Sequence, residues 1–337
     1  MKVLKIFGII VLIVVALIVI FGLIAPNKYD VERTVMIDAP KELVFEHVKY
    51  WRNWTDWSPW AENDPTMQAS LRGEDGKQGS KYVWTGDPDK TGKGEMTNTG
   101  IKEYEEISYH LHFIEPWESE SDGYVRVADA QGGTRVAWGF QGETPFPWNI
   151  FMLFMSMEDM VAKDFDRGLK LLKNICEEEA SAVLSYEVKT HDFPQKHYAV
   201  IRDEVPIPHI ADFFTASFAT IGKTLQMKHM KVTGPPCGLY YSWNEQQMKT
   251  EMAAALPVRG KVNTDQVKTV TLPASKAYSV NYYGPYEQSM FAHKALDLYI
   301  ARNGMTMKSP VIEEYITDPG QEPDSTKWLT KIYYFAE

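Results

Sequence analysis

An unbroken apolar run from Ile6 to Ala25 opens the chain, 20 residues without a charge. At about 1.5 Å per helical residue it spans ~30 Å, the hydrocarbon thickness of a bilayer. Beyond it the pattern changes to alternation. The segment from Val35 to Ile37 reads as strand, and Asp38-Ala-Pro40 then opens a helix whose Leu43, Val44, Phe45 and Val48 share one stripe. Asp38 is placed to accept from the free N–H groups of the first turn, and Pro40 needs no N–H there. Trp51, Trp54, Trp57 and Trp60 follow, four indoles that need either a packed core or a cavity to line.

Further on, Lys81–Trp84, Ile107–Phe113, Tyr124–Val127 and Thr134–Phe140 alternate or nearly so. Gly86-Asp-Pro88, Thr91-Gly-Lys-Gly94, Asp122-Gly123 and Gly132-Gly133 punctuate them as turns. One face buried and the other wet means an antiparallel sheet. Met157, Val161, Phe165, Leu169, Leu172 and Ile175 then recur at helical spacing, which predicts a long helix ending in the polar linker Glu177–Ala182. The apolar stretch Trp148–Met157 is too short to cross a bilayer. It reads as the lead-in to that helix, covering the core, with contact to a nearby membrane as the alternative.

The remainder repeats itself. His197-Tyr-Ala-Val200 returns as Ala277-Tyr-Ser-Val280, and Thr250-Glu-Met252 as Thr330-Lys-Ile332, both 80 residues later. Each copy has a helix, Ile210–Leu225 and Gln288–Asn303. Each helix is followed by a proline-bearing turn (Gly234-Pro-Pro236; Lys308-Ser-Pro310) and a tyrosine-bearing strand (Leu239–Tyr241; Glu313–Tyr315). Strand, helix, strand, strand therefore occurs twice. Two such units bury their helix faces on a shared sheet and leave a groove along a pseudo-twofold seam.

Composition narrows the function. With 337 residues, two soluble domains are expected behind the anchor: 1–28 anchor, 29–180 and 183–337. A net charge of −10 argues against nucleic acid, which rewards clustered Lys and Arg. The apolar run is longer than a signal-peptide core and lacks a small-residue cleavage site, so a retained single-pass membrane anchor is expected. Lys2 and Lys5 favour a cytoplasmic N-terminus, with the soluble domains outside, on the periplasmic side. Cys176 and Cys237 are too few for a disulfide framework. His110 and His112 share a strand face, but no third ligand stands nearby, so a solvent-facing pair is expected rather than a metal site.

The motifs Ile37-Asp-Ala-Pro-Lys-Glu-Leu-Val-Phe45, Trp54-Thr-Asp-Trp-Ser-Pro-Trp60 and Phe165–Leu172 resemble those of the START-like, polyketide-cyclase-like superfamily of helix-grip proteins (SRPBCC). Tyr282-Tyr-Gly-Pro-Tyr286, Glu314–Pro319 and Leu329–Tyr333 resemble the GyrI-like effector-binding domain. The expected class is α+β: a curved antiparallel sheet gripping a long C-terminal helix, then the duplicated domain. The first resemblance implies an apolar ligand held between sheet and helix, for which Trp54, Trp57, Trp60, Trp84 and Trp138 are candidates, with plain core as the other reading. The second implies aromatic stacking in the seam by Tyr240, Trp243, Tyr283, Tyr315 and Tyr333, and a buried glutamate on the last strand. That position is Lys331 here, with Glu251 at its counterpart in the first copy, so a Glu251–Lys331 pair across the seam is one expectation and a solvated Lys331 the other.

Together these readings give a membrane-anchored, non-catalytic binder of hydrophobic or aromatic small molecules, without catalytic residue, metal or cofactor. A hydrolase or cyclase working on a lipophilic substrate through Glu251, His110 or Glu314 is the enzyme alternative. A ligand-sensing regulator acting through a protein partner is the third.

Overall fold

The computed structural model describes residues 2–154 and 156–337, and side chains from residue 6 onward. It divides into two compact units, Met1–Ala180 and Ser181–Glu337. The first begins with α1 (Lys2–Ile24), whose stretch Ile6–Ile24 is long and apolar enough to cross a membrane. Next come β1 (Lys28–Ile37), α2 (Lys41–Lys49), a 3-10 turn at Trp51–Asn53, α3 (Trp54–Trp57) and α4 (Pro59–Asn63). Six strands follow: β2 (Gln68–Arg72), β3 (Lys81–Thr85), β4 (Lys93–Lys102), β5 (Glu106–Glu115), β6 (Ser119–Ala130) and β7 (Gly133–Glu143). A second 3-10 turn, Trp148–Leu153, leads towards the long α5 (Met157–Val183).

The seven strands form one antiparallel sheet in the order β1-β7-β6-β5-β4-β3-β2. A meander runs from β2 to β7, and β1 closes on the last strand, Lys28 opposite Glu143 and Ile37 opposite Thr134. The buried stripe of α5 includes Phe165, Leu169, Leu172 and Cys176, and that of α2 is Leu43, Val44, Phe45 and Val48. This is the helix-grip arrangement the periodicities predict.

Local details differ from the sequence reading. Asp38 does not cap α2. Pro40 takes the cap position, two residues beyond Asp38, without a side-chain hydrogen bond. The Asp38 backbone N–H instead donates to Glu177 of α5 at 2.8 Å. The predicted chemistry appears at Ser58, whose Oγ accepts from Ala61 N with Pro59 at the first helical position. The stretch Thr91–Gly94, read as a turn, leads straight into β4, a polar strand whose Gly94 and Gly100 hide the alternation. Glu177–Ala182 is helix rather than linker, because α5 runs on to Val183.

In the second unit the elements are β8 (Lys189–Phe193), β9 (Lys196–Pro206), α6 (Ile210–Met227), β10 (Cys237–Asn244), β11 (Lys249–Val258), β12 (Lys268–Leu272), β13 (Ser275–Tyr283), α7 (Met290–Arg302), β14 (Met307–Tyr315) and β15 (Leu329–Ala336). They build one eight-stranded sheet, ordered β12-β9-β11-β10-β14-β15-β13-β8. Strand, helix, strand, strand occurs twice, and the copies meet where β10 pairs antiparallel with β14. Each copy is preceded by a short strand that pairs with the other copy, β8 with β13 and β12 with β9. The segment Lys308-Ser-Pro310 is not a turn. It lies inside β14, where the register with β15 breaks between Lys308 and Ile312, a place where a missing proline N–H costs no ladder bond.

The sheet carries apolar side chains on both faces. Ala199, Ala254 and Val258 pack with Ile221 and Leu225 of α6 on one face. Tyr198, Cys237, Leu239, Ala253, Ile312, Tyr333 and Phe335 form a second cluster on the other.

Candidate ligand-binding site

Five indoles of the first unit, Trp51, Trp54, Trp57, Trp60 and Trp138, are packed on one another. Trp51, Trp54, Trp57, Trp84 and Trp138 are buried, and Trp60 is half-buried. Ring centroids lie 4.6 Å apart for Trp54 and Trp57, 5.0 Å for Trp57 and Trp138, and 5.7 Å for Trp60 and Trp138. Trp138 stacks on Phe165 of α5 at 4.3 Å, which is how the helix is gripped. The indole N–H groups are spent inside the fold: Trp54 donates to Val48 O, Trp57 to His47 O, Trp84 to Thr91 O and Trp138 to the Tyr109 hydroxyl. These contacts are those of an aromatic core. His110 and His112 lie on the other face of β5, within reach of Asp122 at 3.0 Å and Glu118 at 3.3 Å.

A different arrangement occupies the second unit. Helix α6 lies over β9 and β11, and α7 over β13 and β15. The central strands β10 and β14 therefore floor a groove between the helices. Alternation along β14 sends Val311, Glu313 and Tyr315 into the groove and Ile312 and Glu314 to the other face. On β10 it sends Gly238 and Tyr240 into the groove.

Glu313 is the charged group of this floor. One of its oxygens accepts from the Tyr315 hydroxyl at 2.9 Å and the Tyr240 hydroxyl at 3.4 Å. The other lies 2.8 Å from Nε2 of His293 on α7. Burial pushes the Tyr240 and Tyr315 hydroxyls well above the ordinary tyrosine range, so both keep their protons and serve as donors. His293 Nδ1 lies 3.3 Å from the Tyr334 hydroxyl, which also meets Asp297, a carboxyl that burial pushes upward. A chain of hydrogen bonds thus runs from the groove floor into α7.

Aromatic rings wall the carboxylate. Phe214 of α6 meets Tyr315 edge-on at 5.6 Å and stacks on Phe218 at 5.3 Å. Tyr286 lies 5.1 Å from both Tyr315 and Trp328, and Tyr240 lies 6.2 Å from Trp243. Phe214, Tyr240, Tyr286, Tyr315 and Trp328 are half-buried, and Trp243 is exposed. Gly238 sits opposite Glu313 in the ladder. A Cβ there would stand 2.8 Å from the Tyr240 ring, 2.9 Å from the Tyr315 hydroxyl and 3.0 Å from the Phe214 ring, so glycine is what lets the three converge.

Among the residues expected from sequence, the structure brings together Tyr240, Trp243 and Tyr315. It sends Tyr333 to the opposite cluster, beside Phe193 at 5.9 Å, and Tyr283 to the exposed surface. Glu251 and Lys331 also lie on that opposite face, by alternation with Ala253 and Tyr333. The Glu251–Lys331 pair does not form. Glu251 accepts from Arg202 of the neighbouring strand at 2.7 Å, while the Lys331 ammonium lies 5.7 Å from the Tyr333 ring centre. The last strand carries Lys331 rather than a carboxylate, and the carboxylate on the groove face is Glu313 of β14. The signal was available: in Glu313-Glu-Tyr315 the first and third residues share a face, so an acid and a ring point the same way.

Residues 28–177 match the family model described as polyketide cyclase / dehydrase and lipid transport, and residues 186–334 match that of the GyrI-like small molecule binding domain. No curated protein matches the chain. Among solved structures, the EcmrR C-terminal domain is 20% identical, with 45% of this chain and 98% of that one covered and a TM-score of 0.42. SAV2435 bound to tetraphenylphosphonium is 18% identical over 45% and 94%, with a TM-score of 0.36. A hydrolase from Listeria innocua is 11% identical over 45% and 92%, with a TM-score of 0.35. The chain thus joins a domain of the polyketide cyclase, dehydrase and lipid transport family to a GyrI-like small-molecule-binding domain, behind one apolar N-terminal helix.

Proposed function

We propose that this chain is a non-catalytic binding protein, held at a membrane by α1, whose ligand is an aromatic or lipophilic cation received in the α6–α7 groove. The observation that carries the proposal is Glu313, a carboxylate only 12% exposed at the foot of a ring-lined wall. Ring faces attract cations through their quadrupole, and a desolvated carboxylate adds a charge that water screens poorly. Neutral tyrosine donors hold that carboxylate without cancelling it. A lipophilic anion meets the same rings and the wrong charge, so the site selects by sign as well as by shape.

Two ions of one shape and opposite sign make the test, tetraphenylphosphonium and tetraphenylborate, titrated calorimetrically against the detergent-solubilised chain. The phosphonium should bind and the borate should not. Glu313→Gln should weaken the phosphonium by about tenfold or more, the scale of one charge-assisted contact, ~1.4 kcal/mol. Equal affinity for both ions, or an unaffected glutamine variant, would remove the proposal.

One observation favours an enzyme instead, the hydrogen-bonded series Tyr315–Glu313–His293–Tyr334, since acid–base catalysis needs titratable groups in mutual reach. Turnover of an ester or lactone that disappears in His293→Ala while phosphonium binding persists would establish that reading.

A further inference from the structure

The first unit also exposes aromatic side chains, and they gather where α1 ends. The segment after β7 is fastened to the foot of that helix. Asn149, buried, donates from Nδ2 to the carbonyls of Gly22 at 2.7 Å and Ala25 at 3.3 Å, two acceptors that the end of a helix leaves free. The Phe146 ring lies over Gly22, where a Cβ would be 2.5 Å from it, and Thr144 N–H donates to Asn27 O at 2.8 Å. This segment was expected to cover the core. Its rings do the opposite: Phe146, Trp148, Phe151 and Phe154 are all exposed, Phe154 at 79%, with Trp148 and Phe151 stacked at 6.2 Å.

Sheet register brings one more ring to the same end. Lys28, the first residue of β1, pairs with Glu143, the last of β7. Asp122 pairs with Gln141, and Phe113 with Ser119, so the β5–β6 turn projects beyond the strand ends beside α1. Trp117 stands at that turn, 80% exposed. Outside α1, these five are the exposed aromatic side chains among the described residues of the unit. The opposite end, at the β6–β7 turn, presents Asp129 and Gln131. Of the charges near the aromatic end, Lys28 pairs with Glu143 at 2.9 Å and Lys93 with Glu115 at 2.8 Å, while Glu118 of the β5–β6 turn and Glu120 of β6 are exposed beside His112 and His110.

We propose that this end of the first unit rests on the bilayer, with Phe146, Trp148, Phe151, Phe154 and Trp117 inserted at the headgroup level around the exit of α1. The proposal rests on α1 spanning the membrane. Nineteen residues from Ile6 to Ile24 cover ~28 Å, which brings Ile24, and the Asn149 clasp with it, to the membrane boundary. Tryptophan is enriched at the headgroup level and phenylalanine on apolar faces buried at the headgroup–acyl boundary, whereas five rings left in water on one end of a domain are costly. The occupant is therefore the lipid surface next to the anchor.

The test uses the full chain in phosphatidylcholine–phosphatidylglycerol vesicles carrying a nitroxide-labelled lipid. Single cysteines are introduced as Phe154→Cys, Trp117→Cys and, at the far turn, Gln131→Cys, and labelled with an environment-sensitive dye. Cys176 and Cys237 are both buried and stay unlabelled, which the parent chain verifies. Lipid nitroxide should quench positions 154 and 117 by about twofold or more relative to 131. Equal quenching at 154, 117 and 131, in a chain that alkaline carbonate leaves in the membrane, overturns the proposal alone. Quenching at only one of 154 and 117 overturns it too. Release of the parent chain by carbonate overturns the anchor and the proposal with it.

Discussion

Glu313 and Glu314 are neighbours on β14, and the strand's period of two gives them opposite surroundings. Glu313 faces tyrosine hydroxyls and His293, whereas Glu314 is buried on the other side with the Lys196 ammonium 2.9 Å away. A ligand cation can reach the first and not the second, so Glu314→Gln should leave phosphonium affinity unchanged in the titration that Glu313→Gln weakens. Asp64 shows what four donors do to a carboxyl. Thr66 Oγ1 and Thr91 Oγ1 at 2.6 Å each, Asp87 N at 2.8 Å and Thr66 N at 3.1 Å hold its charged form, and its pKa falls well below the ordinary aspartate range. In the unfolded chain the same group titrates near about 4, so its stabilisation is complete above that pH and is lost as pH falls through and below it. Asp64→Asn should therefore lower the melting temperature at pH 7 and flatten its decline in acid; parallel melting curves for the two proteins from pH 7 to pH 3 would refute this. At this scale the sequence exposed ring types well and their surroundings poorly. Tyr240 and Tyr315 could be picked out as stacking groups, but Glu251 and Lys331 looked like a pair only because the repeat aligns them, and alignment does not say that Arg202 stands nearer.

Elements were the most legible level. The helical stripes of α5, α6 and α7 and the alternation of β3, β5 and β7 lie in the apolar pattern itself. β4 did not, because Gly94 and Gly100 interrupt it, and Pro310 looked like a turn because a register break that tolerates proline leaves no mark in composition. The strands β2, β8 and β12 do not stand out, because β2 is exposed throughout and β8 and β12 each bury only their last residue, which leaves no alternation to read. Gly238 is the point where an element shapes the site. Gly238→Ala forces a methyl group against the Tyr240 and Phe214 rings and the Tyr315 hydroxyl, each within 3.0 Å. Overpacking of this kind costs about 1–3 kcal/mol. The rings can yield towards the open groove, so the variant should fold with a modest loss of stability and lose phosphonium affinity severalfold. Wild-type affinity measured in a folded Gly238→Ala protein would show that ring convergence at the floor is irrelevant to binding.

On the scale of the molecule, two units with separate cores predict two unfolding transitions, and a ligand confined to the second groove raises only one. At about one hundred times its dissociation constant, phosphonium adds ~2.7 kcal/mol to the unit that binds it. Calorimetry in which both transitions climb together would place the ligand outside that groove. The two-part organisation was readable from length and from the 80-residue recurrence, but the crossed pairing of β8 with β13 and of β12 with β9 was not, since five-residue strands do not name their partners. That exchange has a consequence for how the duplicated domain exists at all. Each copy begins with a strand that seals the flank of its sibling, so one copy produced alone would have a bare border and a stray segment able to dress it. Two such fragments satisfy one another, and a solitary copy should therefore be found as a symmetric pair with itself.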